Sequence, residues 1–99
     1  MILVMGHLKF APDKFAAVKP HAQAMIAATR PEAGCLLYAF AEDIAEPGVL
    51  RIAERWESAE ALKAHVATPH MAAWRAALKE IGYLERDVRS YETAGERPL

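Results

Sequence analysis

The sequence predicts an α+β domain: a ferredoxin-like, split β-α-β chain with an antiparallel sheet. Three observations predict it. Four stretches carry the apolar spacing of strands, helical spacing fills the intervals after the first and the third, and a five-residue turn joins the second to the third.

The first strand spans residues 2–10. Ile2, Val4, Leu8 and Phe10 share one face, with Gly6 between them; Leu3, Met5, His7 and Lys9 share the other. "APDK" ends it. From Asp13 to Thr29, Phe15, Val18, Ala22, Met25, Ile26 and Thr29 repeat at helical spacing. Pro20 lies inside that run, so a kink or a break is expected there, with the helix resuming at His21. Pro31 and Gly34 in "RPEAG" oppose further helix. "CLLYAFAED" is the second strand, with Cys35, Leu37 and Ala39 on one face and Leu36, Tyr38 and Phe40 on the other. "IAEPG" reads as the turn of a hairpin. The third strand, "VLRIAERWE", sets Leu50, Ile52, Glu54 and Trp56 against Val49, Arg51, Ala53 and Arg55.

Ser58 is an N-cap, without the glutamate of a full capping box, for a helix running to about Ala67. Thr68-Pro69 starts another helix, with its proline at the first helical position. Met71, Trp74, Leu78 and Ile81 form its inward stripe, and Gly82 ends it. "YLERDVRSYE" is a polar fourth strand suited to a sheet edge. The domain is thus residues 1–92, and residues 93–99 are expected to form a flexible tail.

Helices can cover only one face of such a sheet, yet the first two strands are apolar on both. A solvated face would alternate with polar residues, so a second copy of the chain is expected to cover it: a homodimer.

Composition narrows the function. With 99 residues and a formal net charge of −1, Lys and Arg scattered, the chain lacks the basic footprint of nucleic-acid binding. No apolar run approaches membrane-span length, so no membrane partner is expected, and the N-terminal stretch has no signal-peptide pattern. The single cysteine, Cys35, excludes an intrachain disulfide and a multi-cysteine metal site; it fits a cytoplasmic protein, and an inert buried thiol.

The residues able to carry chemistry cluster in "ERWESAEALKAHVATPHMAAW". His65 sits at the margin of the inward stripe of its helix. His70, at the second position of the next, shares a face with Trp74. Both can point toward the sheet face that bears Glu54 and Trp56. The positive end of the last helix favours a neutral His70, as a general base requires. A metal held by His65, His70 and Glu54 is not expected, because the spacing spans a helix break and matches no zinc motif. His7 is a candidate for the dimer interface, and His21 reads as a solvated residue.

"RPEAGCLLYAF", "RIAERWESAEALKAHVATPHMAAW" and a first strand ending in "HLKF" resemble the antibiotic biosynthesis monooxygenase family, in its quinol-monooxygenase-like branch. The resemblance covers about Met1 to Tyr91. Glu32-Ala33-Gly34-Cys35 with Tyr38, Glu54-Arg55-Trp56, and His65 with Pro69-His70 are its most specific parts; the family usually has proline where Ala33 stands. It implies a dimeric α+β barrel of two protomers packed sheet to sheet, each with a pocket near Glu54, Trp56, His65 and His70. It implies oxidation of a small phenolic or quinol-type compound by molecular oxygen, with no cofactor: no metal, flavin or haem. On that scheme His65 or His70 is the base, Glu54 its orienting partner, and Trp56, Tyr38 and Trp74 hold the substrate.

Haem degradation is not implied, since Gly6 or His7, His65 and Arg75 stand where that branch has other residues. A phosphorylated substrate lacks support too, because Arg51 and Arg55 lie on the strand face opposite Glu54. The alternatives are an isomerase of the same fold using a histidine base, and a non-catalytic ligand-binding or stress-response dimer.

Overall fold

The computed structural model describes every residue from Met1 to Leu99. In order these form strand β1 (Ile2–Lys9), a 3-10 turn (Pro12–Lys14), helix α1 (Phe15–Thr29), strands β2 (Cys35–Glu42) and β3 (Val49–Trp56), helices α2 (Ala59–Val66) and α3 (Pro69–Ile81), and strand β4 (Glu85–Glu92). The sheet is antiparallel in the order β2-β3-β1-β4. This is the split β-α-β arrangement expected, with all helices on one face.

Alternation decides which residues reach the core. Ile2, Val4, Leu8, Leu50, Ile52 and Trp56 are buried on the helix side, where they meet Val18, Ala22 and Met25 of α1 and Trp74 and Leu78 of α3. Gly6 belongs to the same face, and a Cβ there would collide with the Asp87 carbonyl oxygen of β4. Glycine at this position therefore lets β4 approach β1.

Two sequence expectations need correction. Pro20 neither breaks nor interrupts α1, which runs continuously from Phe15 to Thr29. Pro20 and Ala16 are both exposed, so the Ala16 carbonyl that loses its amide partner faces water. In β2 the register shifts between Cys35 and Leu37: Cys35 lies opposite Trp56, and Leu37 opposite Arg55. Trp56 and Arg55 point to opposite faces, so this bulge at Leu36 separates Cys35 from Leu37 and Ala39 and turns it toward the core.

The helices cover the sheet unevenly. On the helix side of β4, Arg86 and Ser90 are exposed and Val88 only half-buried. α3 and the sheet thus diverge above β1 and β4 and leave a cleft. The last seven residues contain no helix or strand; Thr93 donates its amide to the Met1 carbonyl at 3.0 Å, and Glu96 pairs with Arg55 at 2.9 Å. No helix is long and apolar enough to cross a membrane.

Candidate functional site

Strand pairing places Tyr38 of β2 directly opposite Glu54 of β3, and Glu54 opposite Val4 of β1. All three are buried on the helix-covered face. Glu54 is 8% exposed, which is little for a carboxylate with no cationic partner. Two residues along the same strand, Trp56 is fully buried and donates its indole N–H to Glu54 Oε1 at 2.8 Å. Burial pushes the Glu54 carboxyl up to about 7; the Trp56 hydrogen bond acts against this, and the nearby Glu32 charge adds to it. Burial and the adjoining Glu54 charge likewise raise Tyr38, which stays a phenol.

The histidines are set by two capped helices. Ser58 Oγ accepts the Ala61 amide to start α2, and Thr68 Oγ1 accepts the Met71 amide to start α3. The Thr68 hydroxyl also donates to the His65 carbonyl at 2.7 Å, so the end of one helix is tied to the beginning of the next. His65 therefore closes α2 just where His70 opens α3. His65 Nδ1 and His70 Nε2 meet the same atom, Glu32 Oε2, at 2.8 and 2.7 Å. A carboxylate only accepts, so each of these nitrogens carries its proton. His65 is buried, and its ring lies 4.7 Å from that of Trp56 and 5.4 Å from that of Tyr38.

The cleft, of about 690 Å³, is lined by Tyr38, Phe40, Glu54, Met71 and Trp74 among others. Phe40 and Trp74 stack across it, with centroids 5.4 Å apart. Of the residues singled out from sequence, the structure brings Glu54, Tyr38 and Trp74 to this surface. His65, His70 and Trp56 stand behind it. His70 lines instead a hollow of about 90 Å³ between α1 and α3, beside His21. The partner of both imidazoles is Glu32, not Glu54, because the turn after α1 swings Glu32 between α2 and α3. Trp56 holds Glu54 and does not form a wall of the cleft.

Glu32 was not among the residues singled out for chemistry. It lies in a turn, where periodicity carries no information on direction; its place in the "EAGC" stretch was the only signal. Glu32, His65 and His70 bring one carboxylate oxygen and two ring nitrogens within 4.8 Å of one another, a donor set that a divalent ion can use. The hydrogen bonds among them already satisfy all three. Cys35, whose thiol is raised by burial and by the Glu32 charge, has no feature of a nucleophile.

The model of the antibiotic biosynthesis monooxygenase family matches residues 1–77. An uncharacterized Synechocystis protein is 36% identical over 69 residues, which is 70% of this chain and 47% of that protein, so the chain spans about half the length of this relative. Rv0793 of Mycobacterium tuberculosis, provisionally named a monooxygenase, is 35% identical over 80 residues, covering 81% of this chain and 78% of its own. Its solved structure superposes with a TM-score of 0.87 at 30% identity and covers 98% of both chains. A Deinococcus radiodurans structure, provisionally described as an antibiotic biosynthesis monooxygenase, superposes with a TM-score of 0.93 at 29% identity, over 100% of this chain and 98% of its own.

Proposed function

Because this chain belongs to the antibiotic biosynthesis monooxygenase family, we propose that it uses molecular oxygen to oxidise a small phenolic or quinol-type compound held in the cleft above Glu54. The observation that carries this reading is the buried carboxyl of Glu54, held by the Trp56 indole N–H at 2.8 Å on the floor of an aromatic cleft, where burial pushes it up to about 7. Oxygen is a ground-state triplet and reacts slowly with closed-shell molecules, but a phenolate can pass it one electron and then recombine. The protein's task is to make and hold that anion out of water.

Glu54 takes the phenolic proton. An unperturbed phenol titrates at about 10, so raising the base from 4.5 to about 7 makes the transfer less uphill by about 3 kcal/mol. Trp56 fixes the carboxylate, and the buried Tyr38 ring, directly opposite Glu54 in the sheet, closes the floor around it. For a phenol, the net reaction turns the C–H opposite the phenolic oxygen into a second carbonyl. One atom of O2 enters the quinone and the other leaves as water, with all four electrons drawn from the substrate, so no cofactor is needed. Glu32, His65 and His70 act as positioning residues that brace Trp56 and Tyr38 from behind.

An oxygen electrode with a panel of naphthols and naphthoquinols tests this. Oxygen uptake matched to substrate loss is expected, with label from isotopic O2 in the quinone formed from the naphthol. Equal turnover under nitrogen would replace the oxygenase by an isomerase using the same cleft.

The homodimer belongs to this reading. Across the helix-free face Leu37, Arg55, Leu3 and Tyr91 form one register row, and Ala39, Ala53, Met5 and Arg89 the next. Met5 is 54% exposed and Tyr91 48%, a large apolar surface for a lone small domain. A second copy is the occupant that covers it by symmetry. Sedimentation at micromolar concentration should give a dimer, and Met5→Glu, in the middle of the patch, should give a folded monomer. A monomeric parent chain would overturn this.

A further inference from the structure

We infer that the substrate carries an anionic group, a carboxylate or a phosphate ester, which binds at the mouth of the cleft to Arg75, Lys79 and Arg86. The inference takes the proposed cleft as its premise and adds the class of its ligand.

Three observations converge. Arg75 and Lys79 lie four residues apart on α3 and so share a face, and both line the cleft. Arg86 stands opposite Leu8 of β1, a residue buried on the helix side, so its side chain rises from β4 into the same opening. None of the three has a carboxylate within ion-pairing distance. Of the nine other lysines and arginines, four pair with a carboxylate: Lys9 with Glu46, Arg51 with Asp43, Arg55 with Glu96 and Arg89 with Asp87. Those pairs sit at the sheet edge and on the opposite face.

Three basic residues thus line one cleft in a chain whose formal net charge is −1. Its only acidic lining residue is Glu54, on the floor. Arg75 is held in place by its Nη1–H, which donates to the Val66 carbonyl at 3.3 Å and leaves the rest of the guanidinium free. The cleft thus has two ends of different chemistry: an apolar aromatic floor with a proton acceptor, and a rim of unpaired donors. A flat ring with an acidic substituent fits both at once. Three cations around one anion give charge-assisted hydrogen bonds, and the positive field draws such a ligand in.

The test compares three probes with one ring system: a hydroxynaphthoate, the matching neutral hydroxynaphthamide and the matching hydroxynaphthyl phosphate. Affinities are measured by calorimetry under nitrogen, on the parent chain and on Lys79→Ala/Arg86→Ala. Anionic probes should bind at least about tenfold more tightly than the amide, the preference should shrink at high salt, and the double variant should lose most of it. A larger gain for the phosphate than for the carboxylate would assign the group as a phosphate ester, and the reverse order as a carboxylate. Equal binding of amide and acids, or a preference that survives in the variant, overturns the inference. The oxygenase reading fails separately, if the anion preference is present but no naphthol consumes oxygen.

Discussion

Glutamine at position 54 is expected to lower kcat/KM by about 10²–10⁴-fold, the usual contribution of a positioned general base, and at the same time to stabilise the fold. The two effects have one cause. Burial holds the Glu54 carboxyl at about 7, against 4.5 when exposed. Below 4.5 the group is protonated whether the chain is folded or not, and it contributes no pH dependence. Between 4.5 and about 7 the unfolded chain releases its proton while the folded chain keeps it, so stability falls as pH rises through this window. Above about 7 the loss is complete, on the order of 3 kcal/mol. Glutamine keeps an oxygen for the Trp56 indole N–H but has no charge to bury. Urea unfolding should therefore show Glu54→Gln as the more stable protein at pH ~8 and equal to the parent near pH ~4. An inactive variant with no gain at high pH would mean that Glu54 is not a desolvated carboxylate. An active one would take the base away from this residue.

Alanine at position 32 is expected to destabilise the fold by about 2–4 kcal/mol, measurable in the same unfolding experiment. Glu32 Oε2 is the acceptor for both His65 and His70, and His65 is 2% exposed, so removing the carboxylate strands a buried N–H. It also unties the α1–β2 turn from α2 and α3. Glu32→Gln, which keeps an acceptor oxygen, should lose less. Turnover should fall by less than about tenfold in either variant, because Glu32 and the histidines stand behind the cleft and brace Trp56 and Tyr38. A loss of turnover in Glu32→Ala as large as that in Glu54→Gln, at a temperature where both are folded, would move the base to the imidazoles.

The order of elements was legible because it rests on local signals: alternation in four strands, the caps Ser58 and Thr68-Pro69, and the terminators Gly34 and Gly82. The doubly apolar β1 and β2 were legible as well. What failed was geometry that one residue can shift. The bulge at Leu36 moves Cys35 to the other face, and no propensity marks it. Pro20 is tolerated because its lost hydrogen bond falls on the wet side of α1, which a helical repeat alone does not weigh against breakage. At the site, sequence placed Glu54, His65 and His70 on facing elements but not their partners. Periodicity gives the face of a helix and leaves open which carboxylate its histidines reach, and Glu32 lies in a turn that has no period. The cationic rim was hidden for a related reason. Arg75, Lys79 and Arg86 lie on either side of the Gly82 turn, so only the packing of α3 over β4 brings them together.

Proton abstraction in this cleft requires Glu54 to be a buried carboxyl that changes charge near neutrality. The direct test is an NMR titration of side-chain-labelled glutamate, with Glu54→Gln used to assign the resonance. A midpoint at about 7 is expected, moving when a naphthol occupies the cleft. A midpoint at 4.5, unaffected by the ligand, would contradict it.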